Sequence, residues 1–150
     1  MLQWTCKKFE ALTPYELYAC LRLRSEVFVV EQTCVFLDMD NHDQQCHHLM
    51  GMQGNQLVAY TRLVPPGIIY TEASIGRVVS SPLVRGSGAG RQLMQGSIEK
   101  VYELFGKGVI KIGAQLYLKK FYESFGFVQT GDMYLEDGIE HIYMLKAATA

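Results

Sequence analysis

Ile75-Gly76-Arg77-Val78-Val79-Ser80-Ser81-Pro82-Leu83-Val84-Arg85-Gly86-Ser87-Gly88-Ala89-Gly90-Arg91-Gln92-Leu93-Met94 passes from a β-branched segment through a glycine-rich turn into a helical pattern. Glycines at 86, 88 and 90 allow the tight and left-handed conformations that turn successive N–H groups toward one point, and the helix adds its positive N-terminal end. The layout is an anion cradle suited to phosphate. It is neither common nucleotide fingerprint: a P-loop would require Gly-Lys-Ser/Thr, whereas Gly90 is followed by Arg91-Gln92. A dinucleotide G-x-G-x-x-G would space its glycines two and then three apart, and here they alternate.

Arg85-Gly86-Ser87-Gly88-Ala89-Gly90 resembles the R-G-x-G-x-G turn with which the Gcn5-related N-acetyltransferases hold the pyrophosphate of acetyl-coenzyme A. Further along, Lys119-Lys120-Phe121-Tyr122-Glu123-Ser124-Phe125-Gly126-Phe127 resembles that superfamily's helix-to-strand motif. Leu23 to Cys34, Asp38-Met39-Asp40 and His47-His48-Leu49 are similar to its ElaA-like branch, so the resemblance runs from about residue 4 to residue 146. It implies an α+β fold in a single domain over residues 1–150, a central mixed, splayed β-sheet flanked by helices. It also implies acetyl-coenzyme A as co-substrate, with contacts from Val78, Val79, Arg85, Gly86, Ser87, Gly88, Ala89, Gly90, Arg91, Tyr117 and Tyr122. The activity implied is transfer of an acetyl group to a primary amine of a small molecule or peptide, directly within a ternary complex.

Such a transfer needs polarisation of the thioester carbonyl, a neutral amine, and a proton for the departing thiolate. Backbone N–H groups around Val79 are the carbonyl donors if the strand splays there, and they act on charge that develops in the transition state. Tyr122 matches the tyrosine that protonates the thiolate, a phenol of ordinary pKa about 10 facing a thiol of about 8.5. The base is less evident. Many relatives carry a Glu on the strand before the cradle, and the corresponding place here is Gly76. Glu72, Glu31, His47 and His48 are the substitutes, histidine having the pKa suited to neutral pH; alternatively the amine arrives already neutral. Arg77 and Arg24 are candidates for a substrate carboxylate, or for ion pairs that hold the fold: Glu72 or Asp40 for the former, Glu26, Glu31 or Asp38 for the latter. Glu31 itself is a candidate substrate contact. Tyr117 stands where the ElaA-like pattern commonly has a histidine.

Composition is that of an ordinary globular chain: 150 residues, 49% hydrophobic, 19% charged, net charge −1. A balance so near zero speaks against a general nucleic-acid or membrane-surface binder, which would show a basic stripe. The start lacks a signal-peptide pattern and no apolar run reaches spanning length, so a cytoplasmic location is expected. Four cysteines without a C-x-x-C pair imply reduced thiols and no metal, and Asp38 to Asp43 lacks the glycine of a calcium loop. Two other classes compete with the transferase: a non-catalytic acyl-coenzyme A binding module, and an acyl-homoserine-lactone-synthase-like acyltransferase, suggested by Leu23 to Glu31. A homodimer is left open.

Thr13-Pro14 caps a helix expected over 14–29. Strands are expected over 49–53 and 57–64 across a Gly54-Asn55 turn, then over 73–80. A helix over 88–105 ends at Gly106, followed by a strand over 109–113, a helix over 116–125, and strands over 127–130 and 139–145. Disorder is expected only in the 147–150 tail.

Overall fold

A computed structural model describes residues 1–149, and Ala150 lies outside the described residues. The chain opens with β1 (Gln3–Lys8), followed by α1 (Pro14–Arg24). Thr13 and Glu16 start α1 with a reciprocal capping box, Thr13 Oγ1 accepting from the Glu16 N–H and Glu16 accepting from the Thr13 N–H, with Pro14 in the first turn. The expected helix does not continue as an α-helix to Val29. At Ser25–Glu31 it widens into a π-helical segment, where the branched run Val27-Phe28-Val29-Val30 fits poorly against a preceding α-turn.

β2 (His47–Gln53), β3 (Gln56–Val64) and β4 (Ser74–Ser80) complete an antiparallel sheet ordered β1-β2-β3-β4. Then come α2 (Ala89–Phe105), β5 (Ile110–Gln115), α3 (Lys119–Glu123), β6 (Phe127–Glu136) and β7 (Ile139–Lys146). The last three strands form a second antiparallel sheet, β5-β7-β6. β6 runs six residues beyond its expected end because a register break between Thr130 and Tyr134, at Gly131 (φ 75°), lets pairing resume past a polar stretch that reads as a loop. The expected helix over 116–125 begins as a 3-10 turn and is α-helical only over 119–123.

The two sheets touch through one parallel bridge, Ala73 to Ile110, with the Lys111 N–H donating to the Ala73 carbonyl at 2.9 Å. Beyond it β4 and β5 diverge, which is the expected splay. α2 covers one face through Leu93, Met94, Ile98 and Val101, packed with Leu49, Ala59, Leu63, Ile75, Ile110 and Ile112. α1 and the π-helical segment cover the opposite face through Cys20, Leu23 and Val27 against Met50, Leu57, Tyr60 and Val79. All four thiols are free. No helix among the described residues is long and apolar enough to cross a membrane. In the tail, the Thr149 N–H donates to the Lys107 carbonyl at 3.1 Å.

Candidate active site

The divergence of β4 from β5 opens a cleft of about 600 Å³, lined by Ile75–Ser80 of β4, Ile112–Gln115 of β5, and side chains from the π-helical segment, α2, α3 and the β6–β7 turn. Small-molecule sites commonly fall in this size range. A β-bulge drives the splay. Tyr60 pairs with Val79 and Arg62 with Gly76, so Arg77 and Val78 together oppose Thr61. Arg77 takes φ 51°, a left-handed conformation that a branchless glycine would adopt more readily.

An ion cluster holds that strained residue. Arg77 Nε donates to Asp38 Oδ1 and its Nη2 to the Asp38 carbonyl, both at 2.8 Å. Asp38 also accepts from Arg24 Nε at 2.8 Å, and Asp43 accepts from Arg24 (2.9 Å) and Arg62 (3.0 Å). Arg62 grips Asp40 with two nitrogens, at 2.7 and 2.9 Å. Burial works to raise the Asp40 and Asp43 carboxyls, but the arginine charges and hydrogen bonds outweigh it and hold both below the usual carboxylate range.

On the coenzyme-like side, Pro82–Val84 forms a 3-10 turn that delivers the chain to the glycines. Gly86 (φ 80°) and Gly88 (φ 86°) are left-handed, and a Cβ built at either, or at Gly90, would meet nothing within 4 Å. The first α2 hydrogen bond runs from the Gln92 N–H to the Gly88 carbonyl, leaving the N–H groups of Ala89, Gly90 and Arg91 without acceptors in the helix. A hollow bounded by unpaired donors at a helix N-terminus fits a pyrophosphate. Arg85 spans the cleft mouth to make a two-pronged pair with Glu31, one contact at 2.7 Å, and this hydrogen bonding lowers the Glu31 carboxyl. Arg91 lies over the Phe125 ring at 4.5 Å and donates to Ser124 Oγ at 3.0 Å, tying the cradle helix to α3.

Tyr122 enters the cleft from α3 and is 5% exposed. Phe121 and Phe127 meet its ring edge-on at 5.2 and 6.2 Å. Burial pushes its phenol well above the ordinary value, so it keeps its proton throughout the neutral range.

The structure brings Val78, Val79, Arg85, Gly90, Tyr117, Tyr122, Glu31 and Arg77 to this one cleft. Several expectations need correction. Arg24 is no substrate contact: it is 1% exposed, and Asp38 and Asp43 engage it as a structural ion. Arg77 reaches the cleft, but its main partner is Asp38, with the expected Asp40 at 3.5 Å from Nη2 and no contact to Glu72, so the Nε–Nη2 edge of the guanidinium is committed to the fold. Glu72 sits in the bend before β4, outside the cleft lining. His48 is 1% exposed, with ring nitrogens 2.6 Å from Tyr60 Oη and 2.9 Å from the Asp43 carbonyl, and burial holds it below its ordinary pKa. His47 packs edge-on against Phe105 at 5.7 Å, also away from the cleft. Neither histidine can reach a substrate there.

Residues that motif reading overlooked also line the cleft: Phe28, Gln32, Phe36, Gln115, Glu136 and His141. Gln32 and Gln115 exchange two side-chain hydrogen bonds, at 3.3 and 3.2 Å, across it. Only strand alternation around Ile139 to Leu145 hinted that His141 faces away from the apolar core. Among the described residues, no group of three or more His, Cys, Asp or Glu is placed to hold a metal.

Residues 23–148 match the family model described as an acetyltransferase (GNAT) domain. An acyl-CoA N-acyltransferase from Pseudomonas aeruginosa superposes with a TM-score of 0.94 at 44% identity, over 98% of this chain and 100% of that one. The ElaA structure from Escherichia coli superposes with a TM-score of 0.91 at 37% identity, over 97% and 99%. A UPF0039 protein of Synechocystis sp. is 43% identical over 145 residues, covering 96% of this chain and 94% of its own.

Proposed function

Because the chain belongs to the GNAT acetyltransferase family, we propose that it moves an acetyl group from acetyl-coenzyme A to a primary amine by direct transfer within one cleft. The observation that carries this reading is convergence: Arg85 and Gly90 of the glycine turn, the Arg77-Val78 bulge and Tyr122 all border the same opening. The hollow and Arg85 receive the pyrophosphate. At the bulge, β4 is released from regular pairing with β3 at Arg77 and Val78, and its backbone there and at the adjoining Val79 is offered to the carbonyl and pantetheine.

The amine lone pair forms the N–C bond at the thioester carbon, the tetrahedral oxyanion collapses, and the C–S bond breaks with its electron pair on sulfur. Tyr122 supplies the proton to that sulfur, the nitrogen loses one as the amide forms, and the phenol is reprotonated from solvent before the next turnover. A phenol held protonated by burial first hydrogen-bonds the developing thiolate and releases its proton only as charge accumulates there. Val27, Phe28, Phe36 and Ile139 contribute apolar lining, while Glu31, Glu136 and Asp137 contribute acids. With Arg24 and Arg77 paired inside the fold, the acceptor best suited is an amine with an apolar body and no carboxylate.

Thiol release from acetyl-coenzyme A with a panel of primary amines tests the reading. Tyr122→Phe should lower turnover about 10²-fold or more with coenzyme affinity retained. Coenzyme binding with no thiol release on any amine would refute transfer in favour of a binding module, and an unimpaired Tyr122→Phe would remove the phenol from its role.

A further inference from the structure

We propose that His141 Nε2 is the base that takes the proton from the acceptor amine, an inference that rests on the transfer reading above. β7 pairs with β5 so that His141 lies opposite Gln115, Ile142 opposite Ala114, Tyr143 opposite Gly113 and Met144 opposite Ile112. Ile112, Ala114, Ile142 and Met144 belong to the buried cluster that contains Tyr122. Strand alternation therefore puts His141 on the other face of the second sheet. The proton donor for sulfur and a proton acceptor for nitrogen thus approach the same cleft from opposite sides, the separation that a ternary complex requires.

The ring is held in one tautomer. His141 Nδ1 lies 2.8 Å from the Ile139 carbonyl, which can only accept, so Nδ1 carries the hydrogen and the neutral imidazole presents a bare lone pair at Nε2. The ring stacks on Tyr134 at 5.7 Å and 28°, and is 8% exposed. Glu136 Oε2 lies 3.5 Å from Nε2, close enough to stabilise an imidazolium. The other titratable or polar groups that share its face or line the cleft with it are Tyr134 and Glu136 from β6, Asp137 from the turn, Tyr143 on its own strand, Gln115 opposite it on β5, Glu31 at the end of the π-helical segment and Gln32 just after it. Cys34 approaches the turn by donating to the Asp137 carbonyl at 3.5 Å.

Gly76 gives this placement its purpose. On the β4 side of the cleft stands a glycine that offers no base, its Cβ position facing open space. A base from β7 reaches that opening from the sheet across the seam. As the amine nitrogen bonds to the carbonyl carbon, its proton passes to Nε2, Glu136 stabilises the imidazolium, and solvent later takes the proton away. The bare nitrogen of an imidazole is the side-chain base that works near neutral pH.

His141→Asn tests this directly, because the Asn amide keeps a donor for the Ile139 carbonyl and deletes Nε2. With acetyl-coenzyme A and benzylamine, or a faster primary amine from the panel, kcat/KM should fall about 10²-fold or more. The ascending limb of its pH profile should disappear and added imidazole should restore part of the rate, while coenzyme affinity and Tm stay close to wild type. A second readout needs no substrate: ¹⁵N NMR of the free protein at pH 8 should show His141 Nε2 unprotonated. Full activity with an intact pH limb in a folded His141→Asn, or a hydrogen on Nε2 at pH 8, overturns the inference while leaving transfer intact. Wild-type protein that binds acetyl-coenzyme A but gives no thiol release with any of the amines overturns the transfer reading itself and this inference with it.

Discussion

Gly90→Ala pushes folding and binding in opposite directions, and so separates the cradle's purpose from its contribution to the fold. Gly90 is the second residue of α2, lies on the cleft lining, has no left-handed φ, and has nothing within 4 Å of its Cβ position. Alanine therefore enters without strain or clash. In a helix interior it is favoured over glycine by about 1 kcal/mol, and in a first turn by roughly half of that, which raises Tm by about 1–2 °C in a domain of this size. The same methyl occupies the hollow where a phosphate oxygen must approach the N–H groups of residues 89–91. Loss of one charge-assisted hydrogen bond amounts to about 1.5–3 kcal/mol, or about a 10- to 150-fold weaker Kd. Differential scanning fluorimetry and calorimetric titration with acetyl-coenzyme A read the two effects. Unchanged affinity in a protein as stable as wild type would refute the cradle assignment. Gly88→Val is a poorer test, because φ 86° makes any side chain there strained before a ligand arrives.

Two further outcomes follow from the charges. Glu31→Gln should tighten coenzyme binding in calorimetry, because it releases Arg85 from the carboxylate that competes with the pyrophosphate; equal or weaker affinity would mean that Arg85 serves elsewhere. Stability should fall in two stages as pH drops. His48 is held below its ordinary value near 6.5, so its contribution is complete above that pH and lost below it, and Asp40 and Asp43, held below about 3.9, lose theirs as pH falls under 4. Urea midpoints measured at pH 7.5, 5.5 and 3.5 should descend, and a flat profile between the first two would argue that His48 titrates freely.

The parts of the site that sequence made legible are those encoded by local conformation. Alternating glycines before a helix have few structural uses, and the Phe121-Tyr122-Glu123 run ends at a glycine that stops its helix; both signals lie within about ten residues. The bulge at Arg77-Val78 exists only in the register against β3, and a β-branched stretch such as Ile75 to Val79 reads the same with or without it. Arg24 and His48 read as candidates for chemistry because sequence shows a charge or a ring without its partners. Asp38 and Asp43, which neutralise Arg24, arrive from a loop 14 and 19 positions away. His141 is the converse case. It stands in no motif, and its tautomer, its stacking on Tyr134 and its access to the cleft all come from a hairpin whose extent depended on the register break near Gly131.

The single bridge between Ala73 and Ile110 divides the labour of the molecule along its seam. On the transfer reading proposed above, the pyrophosphate cradle lies between β4 and α2, while the β6–β7 hairpin hangs from the other sheet, attached through β5. Substitutions at Glu136, Asp137 or Ile139 can therefore accumulate with little strain passed to the glycine hollow, because few backbone hydrogen bonds couple the two halves. If the transfer reading holds, such a chain can exchange one acceptor for another over generations and keep the same acyl donor, changing what it modifies without relearning what it spends.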